Sequence, residues 1–377
     1  MKKTKLWLVV SVVIAVVSVF SLAGCKTTTT ETTAAATMAA ETIAATTTAA
    51  ETIAPPIIPG SKVYTMEEIN VAVEKLIATK YNKKLKIAND WVLATHVYAA
   101  TSIPTCRDII EKAGHEFIVF DGNGDAALQA NQIDDMIAMK VDLINMFPVD
   151  SKAIVPSLKK AYDAGIPVLI TYSKVADDAK KYTIGYAGPD DYLHGQECAE
   201  MMNDALKGVG KVAILEGAAG TENCILRTKG FVDRVKELGS KIQIVSTQAT
   251  NWDANNARNI LEDLLIKNPD LNGVYTHDDT QGPALAAAVK ASGIDPGQIK
   301  IIGVGGGKVG LAAVRDGLMY GETVQSAYIS GLLEAVKSLE YFANGMKLGD
   351  QYDPYYNLMP LPKVTKENVQ EYLPGTY

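Results

Sequence analysis

The sequence predicts an α/β protein made of two doubly wound parallel-sheet lobes joined by a hinge. Three observations carry this expectation. Between Glu116 and Thr171, short apolar runs alternate with amphipathic segments in the order strand, helix, strand, helix, strand. A second round of the same alternation runs from Lys211 to Val304, and Gly185, Gly188 and Pro189 supply a bend between the two rounds. Repeated βαβ units imply parallel sheets covered by helices, and such sheets bind small molecules beyond the carboxyl ends of their strands. At 377 residues the chain is long enough for two lobes with separate cores.

Taken in order, Lys2, Lys3 and Lys5 precede an apolar run from Leu6 to Phe20 and the small residues before Cys25. A basic head, an apolar stretch and a small-residue cleavage site make a secretory signal in residues 1–24, and the stretch is shorter than the ~20 residues a spanning helix needs. From Lys26 to Pro59, Thr, Ala, Glu and Pro dominate and ETIAATTTAAETIAPP loosely repeats itself. Residues 25–60 are therefore expected to form a disordered tether, open to glycosylation on threonine. Thr65 and Glu68 stand at capping-box spacing before the stripe Ile69, Val73, Leu76 and Ile77, which predicts an amphipathic helix within residues 61–84. Leu85–Asn89 reads as a short strand. Pro104 interrupts the next helical pattern, so that helix is expected to begin at or after it, with Thr101–Pro104 as a turn.

Phe117–Phe120, Leu143–Met146 and Val168–Thr171 read as strands buried on both faces. Between them, Ala126, Ala130, Ile133, Met136 and Ile137, then Ile154, Val155, Leu158, Ala161 and Tyr162, recur at helical spacing, and Gly165 and Pro167 end the second helix. The strand ends place a ligand crevice near Asp121, Phe147–Asp150 and Tyr172. In the second round Lys211–Glu216, Ile242–Ser246, Gly273–Thr276 and Lys300–Val304 read as strands, and 226–238, 254–267 and 284–291 as helices.

Several function classes are disfavoured. The formal net charge is −7 and no basic run lies beyond the N-terminus, which argues against a nucleic-acid partner. Beyond Cys25, the cysteines Cys106, Cys198 and Cys224 permit one disulfide without selecting it, and none has zinc-ligand spacing. Asp121, Asn123 and Asp125 resemble the start of a calcium loop, but Ala126 and Gln132 replace its glycine and glutamate, so the segment reads as a helix cap. The stretch from Gly305 to Gly310 fits GxGxxG, yet Gln325 stands where a dinucleotide site needs an acid, and Val309 after Lys308 breaks a Walker A loop. No Ser/His/Asp or Cys/His motif occurs in a recognisable context, so neither an enzyme nor a cofactor or metal is expected.

The segment FDGNGDAALQANQIDDMIAMKVDLI, followed by PVDSKAIVPSLKKAYDAGIPVLI, resembles the N-terminal lobe of the ribose/galactose-type sugar-binding proteins, the type I periplasmic solute-binding proteins of ABC importers. The resemblance covers about Leu85 to Leu373. It implies a first lobe of residues 85–187 plus 326–350 and a second of 188–325 plus 351–377. LAGC resembles the lipobox of bacterial lipoproteins, which implies cleavage before Cys25, a lipid on its sulfur and an extracytoplasmic, membrane-anchored monomer. Asn89 to Trp91 stand where the family's first strand delivers residues to the cleft; the family's Asn-Pro-aromatic-aromatic signature is absent, and Trp91, His96 and Tyr98 are the available substitutes, with Tyr98 as readily a core residue. In GTENCILRTKGF, Asn223 and Arg227 match the ligand-binding helix mouth; Trp252 matches a ring that stacks on sugar, Asp278 the ligand-binding acid of an Asn-Asp pair with Asp279 structural, and Gln325 the hinge glutamine. Two departures stand out. Tyr172-Ser173 replaces an Asp-Arg pair and Val304-Gly305 a Phe-Asp pair. The implied function is a receptor that closes on a small polar ligand, sugar or sugar derivative, and hands it to an ABC permease. The alternatives are a co-receptor for a membrane histidine kinase, or a receptor for a nucleoside or cationic metabolite.

Overall fold

The computed structural model describes Ile58 and residues 60–377; Cys25, the signal before it and nearly all of the tether lie outside the described residues. In chain order the strands are β1 (Lys62–Val63), β2 (Lys86–Trp91), β3 (Glu116–Asp121), β4 (Leu143–Met146), β5 (Val168–Thr171), β6 (Gly185–Gly188), β7 (Val209–Glu216), β8 (Lys241–Ala249), β9 (Gly273–Thr276), β10 (Lys300–Gly305), β11 (Gly321–Val324), β12 (Tyr356–Leu358) and β13 (Lys363–Thr365). The helices are α1 (Met66–Ala78), α2 (Ala99–Lys112), α3 (Ala126–Ala138), α4 (Val155–Asp163), α5 (Asp191–Leu206), α6 (Glu222–Glu237), α7 (Ala254–Lys267), α8 (Gly282–Ala291), α9 (Lys308–Arg315) and α10 (Ala327–Ala343).

Two sheets result, in the orders β1-β12-β6-β5-β4-β2-β3 and β13-β11-β10-β9-β7-β8. All pairings are parallel except β11 with β13. Successive strand residues face opposite sides, so each sheet carries two cores. In the first, Ile87, Leu143 and Leu169 pack with Leu332 and Leu339 of α10, whereas Ala88, Ile144 and Ile170 pack with Ile133, Met136 and Leu158. In the second, Leu215, Val274 and Ile301 meet α7 and α8, and Ile214, Tyr275 and Ile302 meet α5 and α6. The doubly wound architecture follows the sequence expectation.

The capping box forms as expected: Glu68 N donates to Thr65 Oγ1 at 3.2 Å and Thr65 N to Glu68 Oε2 at 2.9 Å. Asp125 caps α3 through the amides of Ala127 and Leu128. Two expectations need correction. Helix α2 begins at Ala99 and contains Pro104. The helix forgoes one bond to the Ala100 carbonyl, and the burial of Ala99, Ile103, Cys106 and Ile110 outweighs that loss. Second, residues 351–377 do not all belong to the second lobe. β12 pairs with β6 through Tyr356, Asn357 and Leu358, so the chain returns to the second sheet only between Met359 and Pro362. Gly188, placed at the start of the second lobe by the resemblance, likewise ends a strand of the first sheet. After the bend at Gly188 and Pro189 the chain enters α5, capped by Asp190.

The chain crosses between the sheets three times, at Pro189–Asp190, at Gln325–Ser326 and at Met359–Pro362. Cys106, Cys198 and Cys224 are buried and not disulfide-bonded. Among the described residues no helix is long and apolar enough to cross a membrane.

Candidate ligand-binding site

Between the sheets, at the carboxyl ends of β2, β5, β9 and β10, lies a cavity with about 580 Å³ of empty space, part of it continuous with solvent. Its first-lobe wall is aromatic. Trp91, the last residue of β2, lies 4.5 Å ring to ring from Tyr172 and 5.4 Å from Phe147, with Tyr98 at 6.3 Å. Tyr172 holds a left-handed φ of 59°, unusual for a side chain of its size. Its hydroxyl bonds Ser102 Oγ at 2.5 Å and donates to the Glu334 carboxylate, to which Asn89 Nδ2 also donates. Burial pushes Glu334 up to about 7 against these hydrogen bonds.

The second-lobe wall centres on Arg227, buried in α6. Its Nε donates to Asp191 Oδ1 at 2.9 Å, Nη1 to the His277 carbonyl at 2.8 Å, and Nη2 to Gln325 Oε1 at 2.9 Å. Asp191 opens the helix after the first crossing and Gln325 sits at the second, so one guanidinium ties two hinge crossings together. The ion pair is wholly buried, unlike the surface pair that is the ordinary fate of an arginine. Burial raises Asp191 to about 6, with Arg227 pulling it down. Trp252 follows Asn251, and both have left-handed φ, 61° and 54°. Such conformations persist where the surroundings enforce them. The Trp252 ring rests on Gly217, where a β-carbon would lie 2.0 Å from the indole.

The glycine-rich loop after β10 serves an internal carboxylate. Gly306 N and Gly307 N donate to Asp279 Oδ2 at 3.1 and 2.7 Å, and a β-carbon at Gly305 would lie 2.1 Å from the Asp279 carboxyl group. Tyr377 Oη donates to Asp279 Oδ1 at 2.8 Å. Burial, reinforced by Asp278, pushes Asp279 up to about 7, and neighbouring buried Glu322 is raised well above its ordinary range, first by burial and then by Asp279. Asp279 is thus structural, as expected, and the loop's amides are already occupied.

The lobes touch across the cavity. His96 Nε2 of the first lobe lies 3.3 Å from Asp278 Oδ2 of the second. Burial lowers the His96 pKa, but Asp278 more than compensates, leaving it raised. Asn223 N donates to Ser173 Oγ at 3.1 Å, Ser151 N to the Gly220 carbonyl at 3.3 Å, and the Tyr98 and Tyr377 rings meet at 5.1 Å. This is a closed cleft.

Of the residues expected at the site, Trp91, His96, Tyr172, Asn223, Arg227, Trp252, Asp278 and Gln325 all line the cavity. Asn89 does not. It shares a strand face with Trp91 but lies two residues, ~6.6 Å, deeper, where it serves Glu334. In the expected crevice, Phe147 and Tyr172 line the cavity, whereas Asp121 turns to Ala94 N and Asn123 N, and Asp150 caps Lys152 N and Ala153 N. His277, Val304 and Tyr377 were not among the expected site residues, although His277 and Val304 sit at strand ends that could have pointed to them. Tyr377 carries no local signal.

Residues 91–339 match the family described as periplasmic binding protein domain. The chain is 29% identical over 238 residues to the ribose import binding protein of Bacillus subtilis, covering 63% of this chain and 75% of that protein. It is 31% identical over 269 residues to the xylitol-binding protein of Mycolicibacterium smegmatis, covering 70% and 72%. An ABC transporter solute binding protein from Agrobacterium vitis with bound D-fucose superposes with a TM-score of 0.69 at 27% identity, over 78% of this chain and 100% of that one. With its two sheets, three crossings and closed cleft, the chain belongs to the periplasmic binding protein domain family.

Proposed function

We propose that the protein is an extracytoplasmic solute receptor that closes on a small sugar or sugar derivative and delivers it to an ABC importer. It is a binding protein, not an enzyme. The observation that carries this reading is the cavity itself: rings from both lobes wall it, and polar groups reach it from both lobes and from a hinge crossing. Rings suit the apolar faces of a sugar, and planar polar groups suit its oxygens. Ribose and xylitol, the ligands named for two relatives, are of this class. Trp91, His96, Tyr172, Asn223, Arg227, Trp252, Asp278 and Gln325 are the proposed contacts. The ligand stabilises the closed state, and no bond is made or broken.

Lipidation at Cys25 and the threonine-rich tether complete the proposal, holding a monomeric, extracytoplasmic receptor on the bacterial cell membrane. Thermal-shift and calorimetric titration against sugars, polyols and their derivatives tests the ligand class; a ligand at 100 times its Kd adds about 2.7 kcal/mol. Binding unchanged in both Arg227→Ala and Trp252→Ala would refute the placement of the site. A Cys25→Ser variant is expected in the soluble fraction, and its retention on membranes would refute the lipid anchor.

A further inference from the structure

Most of the unengaged polar groups that line the cavity are hydrogen-bond donors; His277 Nδ1, also without a partner, donates or accepts according to its tautomer. The tyrosine rings that line it have committed their hydroxyls elsewhere: Tyr98 to Ser330 at 2.5 Å, Tyr172 to Ser102 and Glu334, Tyr377 to Asp279. They present ring surface and little else. The carboxylate that lines the cavity, Asp278, accepts twice from Thr280 at Oδ1 and faces His96 at Oδ2. Donors, by contrast, remain free. The Trp91 indole N–H is buried without a partner. Asn223 uses its amide oxygen to accept from Cys224 N, which leaves its NH₂ group for the cavity. Arg227 has placed three N–H bonds, on Asp191, His277 and Gln325, of the five a guanidinium carries.

A polyol brings a proton on every hydroxyl and needs an acceptor for each, or buries it unsatisfied. An acyl oxygen brings lone pairs alone. Building on the reading of the cleft as a sugar-type site, we infer that the ligand is an oxidised sugar, an aldonic acid or its lactone. Its acyl oxygens face the donor cluster of Trp91, Asn223 and Arg227, and its carbon skeleton lies against the rings. Because Arg227 is already neutralised by Asp191, a neutral lactone carbonyl fits the cluster as well as a carboxylate does.

Isothermal titration of the purified protein tests this with pentoses and hexoses, xylitol, and the matching aldonates and aldonolactones, D-ribose, D-ribonate and D-ribonolactone among them. An aldonate or lactone is expected to bind at least tenfold more tightly than its parent sugar, and whichever of the two is tighter identifies carboxylate or carbonyl. Trp91→Phe keeps a ring and removes the N–H; it should weaken the oxidised ligand about tenfold more than it weakens the parent sugar, and an equal loss for both overturns the inference. Asn223→Asp, which turns a donor into an acceptor, should narrow or reverse the preference. A parent sugar or polyol that binds as tightly as its oxidised form overturns the inference and leaves the sugar-type reading standing. Absence of binding by every panel member overturns both.

Discussion

Arg227→Met removes the group on which the hinge geometry converges. Arg227 is 2% exposed and its partner Asp191 0%. Methionine fills part of the volume and supplies no donor, so Asp191 Oδ1, the His277 carbonyl and Gln325 Oε1 each lose a bond of 2.8–2.9 Å. Breaking a buried pair from one side costs about 3–5 kcal/mol, because a charge is stranded. The partly exposed Arg234–Glu200 pair is a control; Arg234→Met should cost about 1 kcal/mol or less. Burial already holds Asp191 near 6 against the pull of Arg227, so in the variant it rises further. A carboxyl whose folded pKa exceeds the unfolded value near 3.8 binds more protons when folded, so stability is highest below that value and falls as pH rises through the folded pKa. Arg227→Met should therefore be weakest at about pH 8 and recover part of its loss at about pH 5. Adding Asp191→Asn should recover part of it at every pH. Urea unfolding of the single and double variants measures this. A loss of less than about 1 kcal/mol at pH 7, or one of equal size at pH 5 and pH 8, refutes the reasoning.

Three further outcomes follow from the same packing. Glu334, raised by burial to about 7 from an ordinary value of 4.5, makes the protein less stable as pH rises across that window; thermal melts at about pH 5 and pH 8 should show a smaller fall in Tm for Glu334→Gln than for the parent. Gly217→Ala drives a β-carbon into the Trp252 ring, so ligand affinity by calorimetry should fall at least tenfold while the circular dichroism spectrum is retained. Gly305→Ala collides with the Asp279 carboxyl group and should cost about 1–3 kcal/mol by urea denaturation, as overpacking does.

Much of the lobe architecture was legible because it is written in short-range periodicity. The strands Leu143–Met146, Val168–Thr171 and Gly273–Thr276 have the expected bounds, and Asp125 and Thr65 cap the helices their side chains suggest. That Arg227, Trp252, Asp278 and Gln325 come together in the cavity wall was legible through the motifs that carry them. Helix α2 was not, because the penalty at Pro104 is local and the packing that outweighs it is not. Asn89 looked equivalent to Trp91 because a strand's period gives the face of a residue and says nothing of its depth.

What the sequence determined by itself is the alternation of elements, hence two parallel sheets with a crevice at their carboxyl ends. What tertiary structure alone decided is the use each polar group finds there. Tyr377 reaches Asp279 across 98 positions of sequence, and Tyr172 reaches Glu334 across 162. Those partners set which hydroxyls are occupied and which donors stay free, while burial raises the carboxyl groups against them. Periodicity records neighbours within a turn or two of chain, whereas the character of this cavity rests on pairs that meet only once both sheets have formed.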